Sequence, residues 1–434
     1  MRFDICGATV QSVDLSTCHD SKGSKVAFPV GRSVAITLLI AAGWLVYYWL
    51  TFHSLDRFME VIDHCPLTFC DFARHYLPMG RHVLDGTGPV PGFLYSPFFA
   101  QLMWLAAPLS DAGALVAWGV VQVALTFLLL ATSPSIVRRP GLGLFAVYVF
   151  LFLSSFPVLH NFKWGQVSVL VTLCVLGALA LWQRGHALAA GFLLAFATSI
   201  KFYPAWFALL LLMRRDWRAL SYYAAFSALF LVVLPTAVLG ADATLQFYLD
   251  VIVQLRIGSE WMKNDANSQS LVGLFTRLRS DVDGPWPTTL AFIEPIRWTV
   301  LAVSIAASWF SLRRAEGGEI PATLIMFCAL PFVIQSSWPH YFVYLPTAFL
   351  YLLLNLPTGG LWRGGVVLLV VVAAVLSNVV FWQAWGNAVL FAHLGFLFWA
   401  NALTLVALLL VLFKNRATGG SRICRACIGT ISSG

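Results

Sequence analysis

Charge is scarce in this sequence. Only 11% of its 434 residues are Asp, Glu, Lys or Arg, less than half the roughly 25% of an average soluble protein. With 59% hydrophobic residues and a mean hydropathy of +0.81, the chain carries more apolar surface than a water-soluble fold can cover. A disordered chain and a nucleic-acid binder are excluded on the same ground, so the net charge of +8 first needs a membrane explanation. The eight cysteines do not form a secreted disulfide framework. Cys424 and Cys427 form a lone C-x-x-C with no second pair to complete a zinc site. Cys174 and Cys328 read as small apolar residues. There is no P-loop, dinucleotide fingerprint or H-E-x-x-H, which leaves a nucleotide-driven pump or a zinc protease without support. No repeat period, low-complexity tract or separate soluble domain is visible either.

What the sequence does contain is long apolar runs. A hydrocarbon core of about 30 Å takes about 20 helical residues to cross. Runs of that order lie at 33–52, 113–132, 143–159, 164–182, 220–239, 295–312, 320–335, 341–356, 365–382 and 387–413. Two shorter pieces, 187–200 and 202–213, meet at Lys201. The expected fold is therefore an all-α polytopic membrane protein of roughly twelve transmembrane helices. A cytoplasmic tail over 1–32, one membrane domain over 33–413 and a disordered cytoplasmic tail over 414–434 complete the expected organisation. The first run follows some thirty polar residues and has no small-residue cleavage pattern, so it reads as a retained span.

Lys and Arg in short loops stay on the cytoplasmic side. Arg138 and Arg139, Arg184, the Arg214, Arg215 and Arg218 cluster, Arg313 and Arg314, Arg363, and Lys414 with Arg416 fall in alternate loops. That pattern puts both termini and 17 of the 27 basic residues inside. The stretch 93–109, bracketed by Pro97 and Pro108, breaks the alternation if it is counted as a crossing. It is read as dipping into the outer leaflet, where irregular backbone is tolerated against protein. Two long loops, 53–92 and 241–294, then face outward. They hold most of the acidic residues, among them Asp56, Glu60, Asp63, Asp71 and Asp265, together with His75, Arg81 and Lys263. Transporters tend to carry ionisable groups near the midplane; here the spans are almost free of charge. A site at the outer interface suits a lipid-linked substrate with its head in water and its tail in the bilayer.

The motifs sharpen this picture. Cys70-Asp71-Phe72-Ala73-Arg74-His75-Tyr76 follows the first span, and Tyr95-Ser96-Pro97 comes about twenty residues later. His160-Asn161-Phe162-Lys163-Trp164-Gly165-Gln166, Lys201-Phe202-Tyr203-Pro204, Arg214-Arg215-Asp216-Trp217, Asn267-Ser268-Gln269-Ser270 and Ser337-Trp338-Pro339-His340 follow in order. In this order and spacing the chain resembles the mannosyltransferase-like membrane proteins of glycosyltransferase family 87, members of the GT-C superfamily that use polyprenyl-phosphate sugars as donors. The resemblance runs from about Asp71 to His340 and implies an inverting transfer with one carboxylate as general base, a role it carries to Asp71. The family often has a second histidine after the one matching His340; Tyr341 stands there in this chain.

Elementary chemistry asks for the same parts. A sugar on a polyprenyl phosphate is already activated, so an enzyme must deprotonate an acceptor hydroxyl and neutralise a departing phosphate. Asp71 fits the first need, and Lys201, His340 and Lys163 fit the second. Tyr95, Asn161, Gln166, Asn267 and Gln269 are candidates for binding sugar or acceptor. The residues alone leave alternatives open. Asp71 also reads as a solvated loop acid or helix cap, Lys201 and Lys163 as headgroup-seeking side chains, and Tyr95 and His340 as parts of interfacial turns. Asn161 and Gln166 also suit a helix end, and Asn267, Gln269 and Ser270 a cap for a helix starting near Leu271. Cys65 and Cys70 share the first outer loop, where an oxidising compartment permits a disulfide.

No D-x-D pair lies near Asp71, and Asp281 and Asp283 read as loop acids, so neither a metal nor any other cofactor is expected. The expected protein is an inner-membrane glycosyltransferase moving a hexose, foremost mannose, to a lipid or glycan acceptor on the outer face. Its partners are the polyprenyl-phosphate donor, that acceptor and membrane lipids, with no nucleic acid. A lipid-linked sugar transporter or flippase without transfer chemistry is the competing reading; a ligase with a pyrophosphate donor differs in donor alone.

Overall fold

The computed structural model describes residues 30–52, 65, 68–85, 88–137, 140–280, 291–313, 317–357, 359–384 and 388–429. Asp56, Glu60, Asp63, Arg138, Arg139, Asp281, Asp283 and Arg314 lie outside the described residues. Among the described residues the chain is all-helical, with no strand beyond one isolated bridge between Ser155 and Asn378. Among the described residues four helices are individually long and apolar enough to cross a membrane: Asp111–Val137, Trp217–Leu239, Ile293–Leu312 and Phe396–Lys414. Nine further apolar helices among the described residues are 10 to 17 residues long. Many large apolar side chains point outward, such as Val116, Val120, Leu361 and Leu368. That surface suits lipid and would be costly in water, and the chain is accordingly an integral membrane protein.

Several expected spans are broken. The run 143–159 divides into Leu142–Leu153 and Phe156–Trp164, and the run 365–382 into Gly360–Leu376 and Val379–Ala384. The two breaks pair with each other. Phe156 N–H donates to Ser377 O at 2.9 Å, Val379 N–H to Ser154 O at 3.0 Å, and Asn378 Nδ2 to Ser154 Oγ at 2.5 Å. Backbone groups freed inside an apolar environment need partners, and each break supplies them to the other. The stretch 93–109 forms the short helix Pro97–Met103 and a 3-10 turn over Trp104–Ala106. Ten such residues reach about 15 Å, half the hydrocarbon thickness.

The stretch 241–294 is not a plain loop. It contains a 24-residue helix, Ala241–Asn264, and a second one, Leu271–Ser280. The first buries Phe247 and Val251 and grips the 88–95 segment, where Gln254 accepts from Gly92 N–H at 2.9 Å and donates to Pro89 O at 3.3 Å. At the other terminus, the helix Phe396–Gly429 runs on through most of the segment expected to be disordered.

The helix Ser168–Gln183 relates two polar ends of the molecule across about 24 Å. At its C-terminal end Gln183 meets Glu319, which pairs with Arg214 at 2.7 Å. Trp182 Nε1 donates to Asp216 there at 2.8 Å, and Asp216 caps the helix Trp217–Ala228. The Arg-Arg-x-Trp motif thus builds the framework of one end. At the N-terminal end of the same helix, a different set of polar groups converges.

Candidate active site

Asp71 stands at the start of a π-helical turn, Phe72–Tyr76, where Leu77 N–H bonds Phe72 O five residues back. The wider turn puts residues five apart on one face, so Asp71 and Tyr76 face the same side; such bulges are frequent at functional sites. Cys65 and Cys70 form a disulfide immediately before it. Behind it, Phe72 stacks on Trp118 with ring centroids 4.7 Å apart, and Trp118 Nε1 donates to Gly165 O at 2.9 Å.

Gly165 ends the helix Phe156–Trp164 in the left-handed region, at φ +64°. A Cβ there would stand 2.7 Å from Phe69 Cβ, so glycine is required both for its backbone angles and for the close approach. The reversal aims Gln166 at Asp71, and Gln166 Nε2 donates to Asp71 Oδ2. Gln166 Oε1 accepts from Lys201 Nζ at 3.0 Å and from Tyr95 OH at 3.1 Å. The Tyr95 and Tyr76 hydroxyls meet at 2.5 Å. The amide end facing each partner follows from chemistry, because a carboxylate only accepts and an ammonium only donates.

Lys201 ends the helix Ala187–Ile200 in an extended conformation, just before a 3-10 turn that begins with Tyr203-Pro204. A helix running on through Pro204 would lose a hydrogen bond and clash at Ile200 O, which explains the break. The side chain is 5% exposed, so it does not reach for headgroups. Its Nζ also donates to Ser168 Oγ at 3.1 Å and lies 4.4 Å from the centre of the Tyr341 ring. Burial pulls the ammonium down to about 7, with the Asp71 carboxylate acting the other way. Ser96 caps the helix Pro97–Met103 and donates through Oγ to Ser199 O. That contact ties the Tyr-Ser-Pro turn to the end of the lysine helix.

His340 lies in the 3-10 turn Pro339–Phe342, buried, with Nδ1 3.4 Å from His160 Nδ1 and the two rings stacked. The chain lacks the second histidine beside His340, yet a histidine from another element packs against it. Lys163 is buried near the end of the helix Phe156–Trp164.

Asn161 has backbone and scaffold partners. Its Oδ1 accepts from Ser168 N–H at 3.0 Å and Val169 N–H at 3.3 Å, and its Nδ2 donates to Gln122 Oε1 at 3.0 Å. Gln122 Nε2 then donates to Gln166 O at 2.7 Å. Gln269 is buried and donates to the Ala266 and Ala392 carbonyls, while its N–H bonds Ser337 O at 2.6 Å. Asn267 N–H donates to Asp265 at 2.7 Å, and Ser270 Oγ caps the helix Leu271–Ser280 by accepting from Gly273 N–H. The structure thus brings Asp71, Gln166, Lys201 and Tyr95 into one hydrogen-bonded network, with His340 against Tyr341 beside it. The hydrogen bonds of Gln269 to Ala266, Ala392 and Ser337 lie outside that network.

Sequence reasoning gives no role to Tyr76, Ser168, His160 or Gln122. Gln122 carries a usable signal, as a lone amide inside an otherwise apolar run. The described residues hold no group of three or more His, Cys, Asp or Glu placed to bind a metal ion. A groove of about 450 Å³ lies elsewhere, lined by Thr37, Phe127 and Phe145 among others. Among the described residues its lining has no titratable side chain and shares no residue with the network.

Two known proteins are similar to the chain over more than half of its length. The chain is 27% identical over 295 residues, 63% of each chain, to a polyprenol-phosphate-mannose-dependent alpha-(1-2)-phosphatidylinositol mannoside mannosyltransferase of Mycobacterium tuberculosis. It is 26% identical over 278 residues to the protein of the same name from Mycolicibacterium smegmatis, covering 58% of this chain and 60% of that one. The matches thus span less than two thirds of either relative. No solved structure matches significantly. The model of glycosyltransferase family 87 matches residues 93–337, a stretch that includes Tyr95, Asn161, Gln166 and Lys201 and excludes Asp71 and His340. Matched over more than half of its length, the chain belongs to glycosyltransferase family 87.

Proposed function

We propose that the protein transfers a hexose, foremost mannose, from a polyprenyl-phosphate donor to a lipid or glycan acceptor, with inversion, at the outer face of the membrane. One observation carries the reading: a carboxylate and a buried ammonium share a single network through Gln166. The acceptor hydroxyl gives its proton to Asp71 as its oxygen attacks the anomeric carbon. The bond from that carbon to the phosphate oxygen breaks, and the phosphate leaves with the electron pair. Lys201 neutralises the charge, with His340 and Lys163 beside the same end of the bundle; a fixed cation in a buried site acts far more strongly than in water. Tyr95, Asn267 and Gln269 remain candidates for contacts to sugar or acceptor, whereas the amide of Asn161 is engaged by Gln122, Ser168 and Val169 and is assigned to the scaffold.

The names of the two mycobacterial relatives support mannose as the donor sugar and a phosphatidylinositol mannoside as one candidate acceptor. The outward placement rests on the basic residues at the opposite end of the helices and on the Cys65–Cys70 disulfide, which belongs in an oxidising compartment. The test is transfer of label from radiolabelled polyprenyl-phosphate-mannose in membranes containing the protein or its Asp71→Asn variant at equal expression. Label in a new lipid or glycan, dependent on Asp71, is the expected result; equal transfer by both would move the base elsewhere.

A further inference from the structure

Gln166 occupies the space between the two charges that the proposed chemistry uses, and the inference drawn from it rests on that chemistry. Lys201 Nζ has two hydrogen-bond partners among the described residues, Gln166 Oε1 and Ser168 Oγ, and both are neutral. It touches no carboxylate there, although Asp71 is near enough to act on it electrostatically. A lysine on a flexible stem beside a carboxylate in a poorly solvated site is drawn into direct contact unless something holds the pair apart. The Gln166 amide does so and is itself fixed from behind. Its N–H donates to Asn161 O at 2.8 Å, its carbonyl accepts from Gln122, and Gly165 sets its direction.

We propose that Gln166 is a positioning residue that keeps Asp71 and Lys201 in one network but out of a direct ion pair. The two groups then keep separate tasks. The carboxylate is spared the loss of proton affinity that a contacting ammonium brings, and the ammonium keeps an N–H to offer a phosphate. A direct pair would depress the first and occupy the second. The titratable groups on the elements around the amide are Asp71, Arg74, His75 and Tyr76, Tyr95, His160 and Lys163, Lys201 and Tyr203, and His340 and Tyr341, with Asp111 and Cys174 further along the helices that carry Gln122 and Ser168. Among the described members of this set, Asp71 and Lys201 are the two whose side chains hold opposite ends of the amide.

The test uses the full-length protein in detergent, with Gln166→Ala to open the space and Gln166→Ser as a second variant should the first fail to fold. Thermal unfolding is measured for Asp71→Asn, Lys201→Met and the double variant, in the presence of Gln166 and again with Gln166→Ala. The coupling between the two charges is expected to grow about twofold or more once the amide is removed; unchanged or smaller coupling overturns the proposal. This readout does not depend on transfer, so it decides the role of Gln166 even if the functional reading fails. With polyprenyl-phosphate-mannose as the donor, Gln166→Ala is also expected to lose about a hundredfold in transfer. The acid limb of its pH profile is expected to move to lower pH, because an ammonium in contact lowers the carboxylate. A loss with the limb unmoved would mark a merely structural role and overturn the proposal. Failure of Asp71→Asn to impair transfer would instead count against the functional reading.

Discussion

The Ser96 hydroxyl donates to the Ser199 carbonyl, 103 residues away in sequence, and joins the turn carrying Tyr95 to the helix end carrying Lys201. The same oxygen accepts from Phe99 N–H at 3.2 Å and caps the helix Pro97–Met103. Ser96→Ala removes the cap, worth about 1 kcal/mol, and leaves a buried carbonyl short of a donor, which adds about 1–3 kcal/mol. A lower melting temperature in detergent, with transfer reduced in step, is the expected outcome. Unchanged melting would mean that the two turns are held by other contacts.

Gly165→Ala tests whether the approach of Gln166 to Asp71 depends on the left-handed turn. A Cβ there meets Phe69 Cβ at 2.7 Å and Trp118 Nε1 at 3.0 Å, at a φ of +64° that costs an L-residue about 1–2 kcal/mol. The variant is expected to fold less stably and to lose turnover more than donor affinity, since it displaces Gln166 and Asp71 together. Steady-state kinetics over a range of donor concentrations separates the two effects. Full turnover would show that the turn tolerates a side chain.

Lys201 gives the site a pH dependence of known sign. Burial lowers its ammonium to about 7, so the substrate-free protein loses this charge as pH rises through that region. Affinity for the phosphate-bearing donor should therefore weaken between about pH 6 and about pH 8, and bound phosphate should shift the midpoint upward. The donor KM of Lys201→Met is expected to be high and flat over the same range. An equal pH dependence in both proteins would assign the titration to another group.

Asn161 is predicted to matter for stability rather than for substrate. Asn161→Ala removes acceptors for the Ser168 and Val169 amides and a donor to Gln122, at a cost of about 1–3 kcal/mol. Asn161→Asp keeps the acceptor and loses only the donor, so it should recover part of the melting temperature. Normal stability with lost substrate affinity would instead restore Asn161 to the sugar-binding candidates.

These contrasts show what was legible in the sequence. Lys201 stands out because an apolar run breaks at a lysine followed by Pro204, and Asp71 because it follows a span in a motif of known order. Gly165-Gln166 is visible as a pair, but its use is not, because the partner that fixes the turn is Phe69, almost a hundred residues earlier. The π-helical turn after Asp71 has no local signature; it is stabilised by Phe72 on Trp118, a tertiary contact. The pairing of the Ser154 and Asn378 breaks is hidden for the same reason, since each run looks continuous by hydropathy alone. The helix Ala241–Asn264 reads as loop because its composition is mixed, and packing through Phe247 and Val251 holds it in place.

The most direct measurement of the central claim is transfer from radiolabelled polyprenyl-phosphate-mannose by membranes containing the wild-type chain, set against Asp71→Asn at matched expression and matched melting temperature. Labelled lipid or glycan from the wild type and a loss of at least about a hundredfold in the variant are expected. Equal labelling by the two proteins would contradict the assignment of Asp71 as the base.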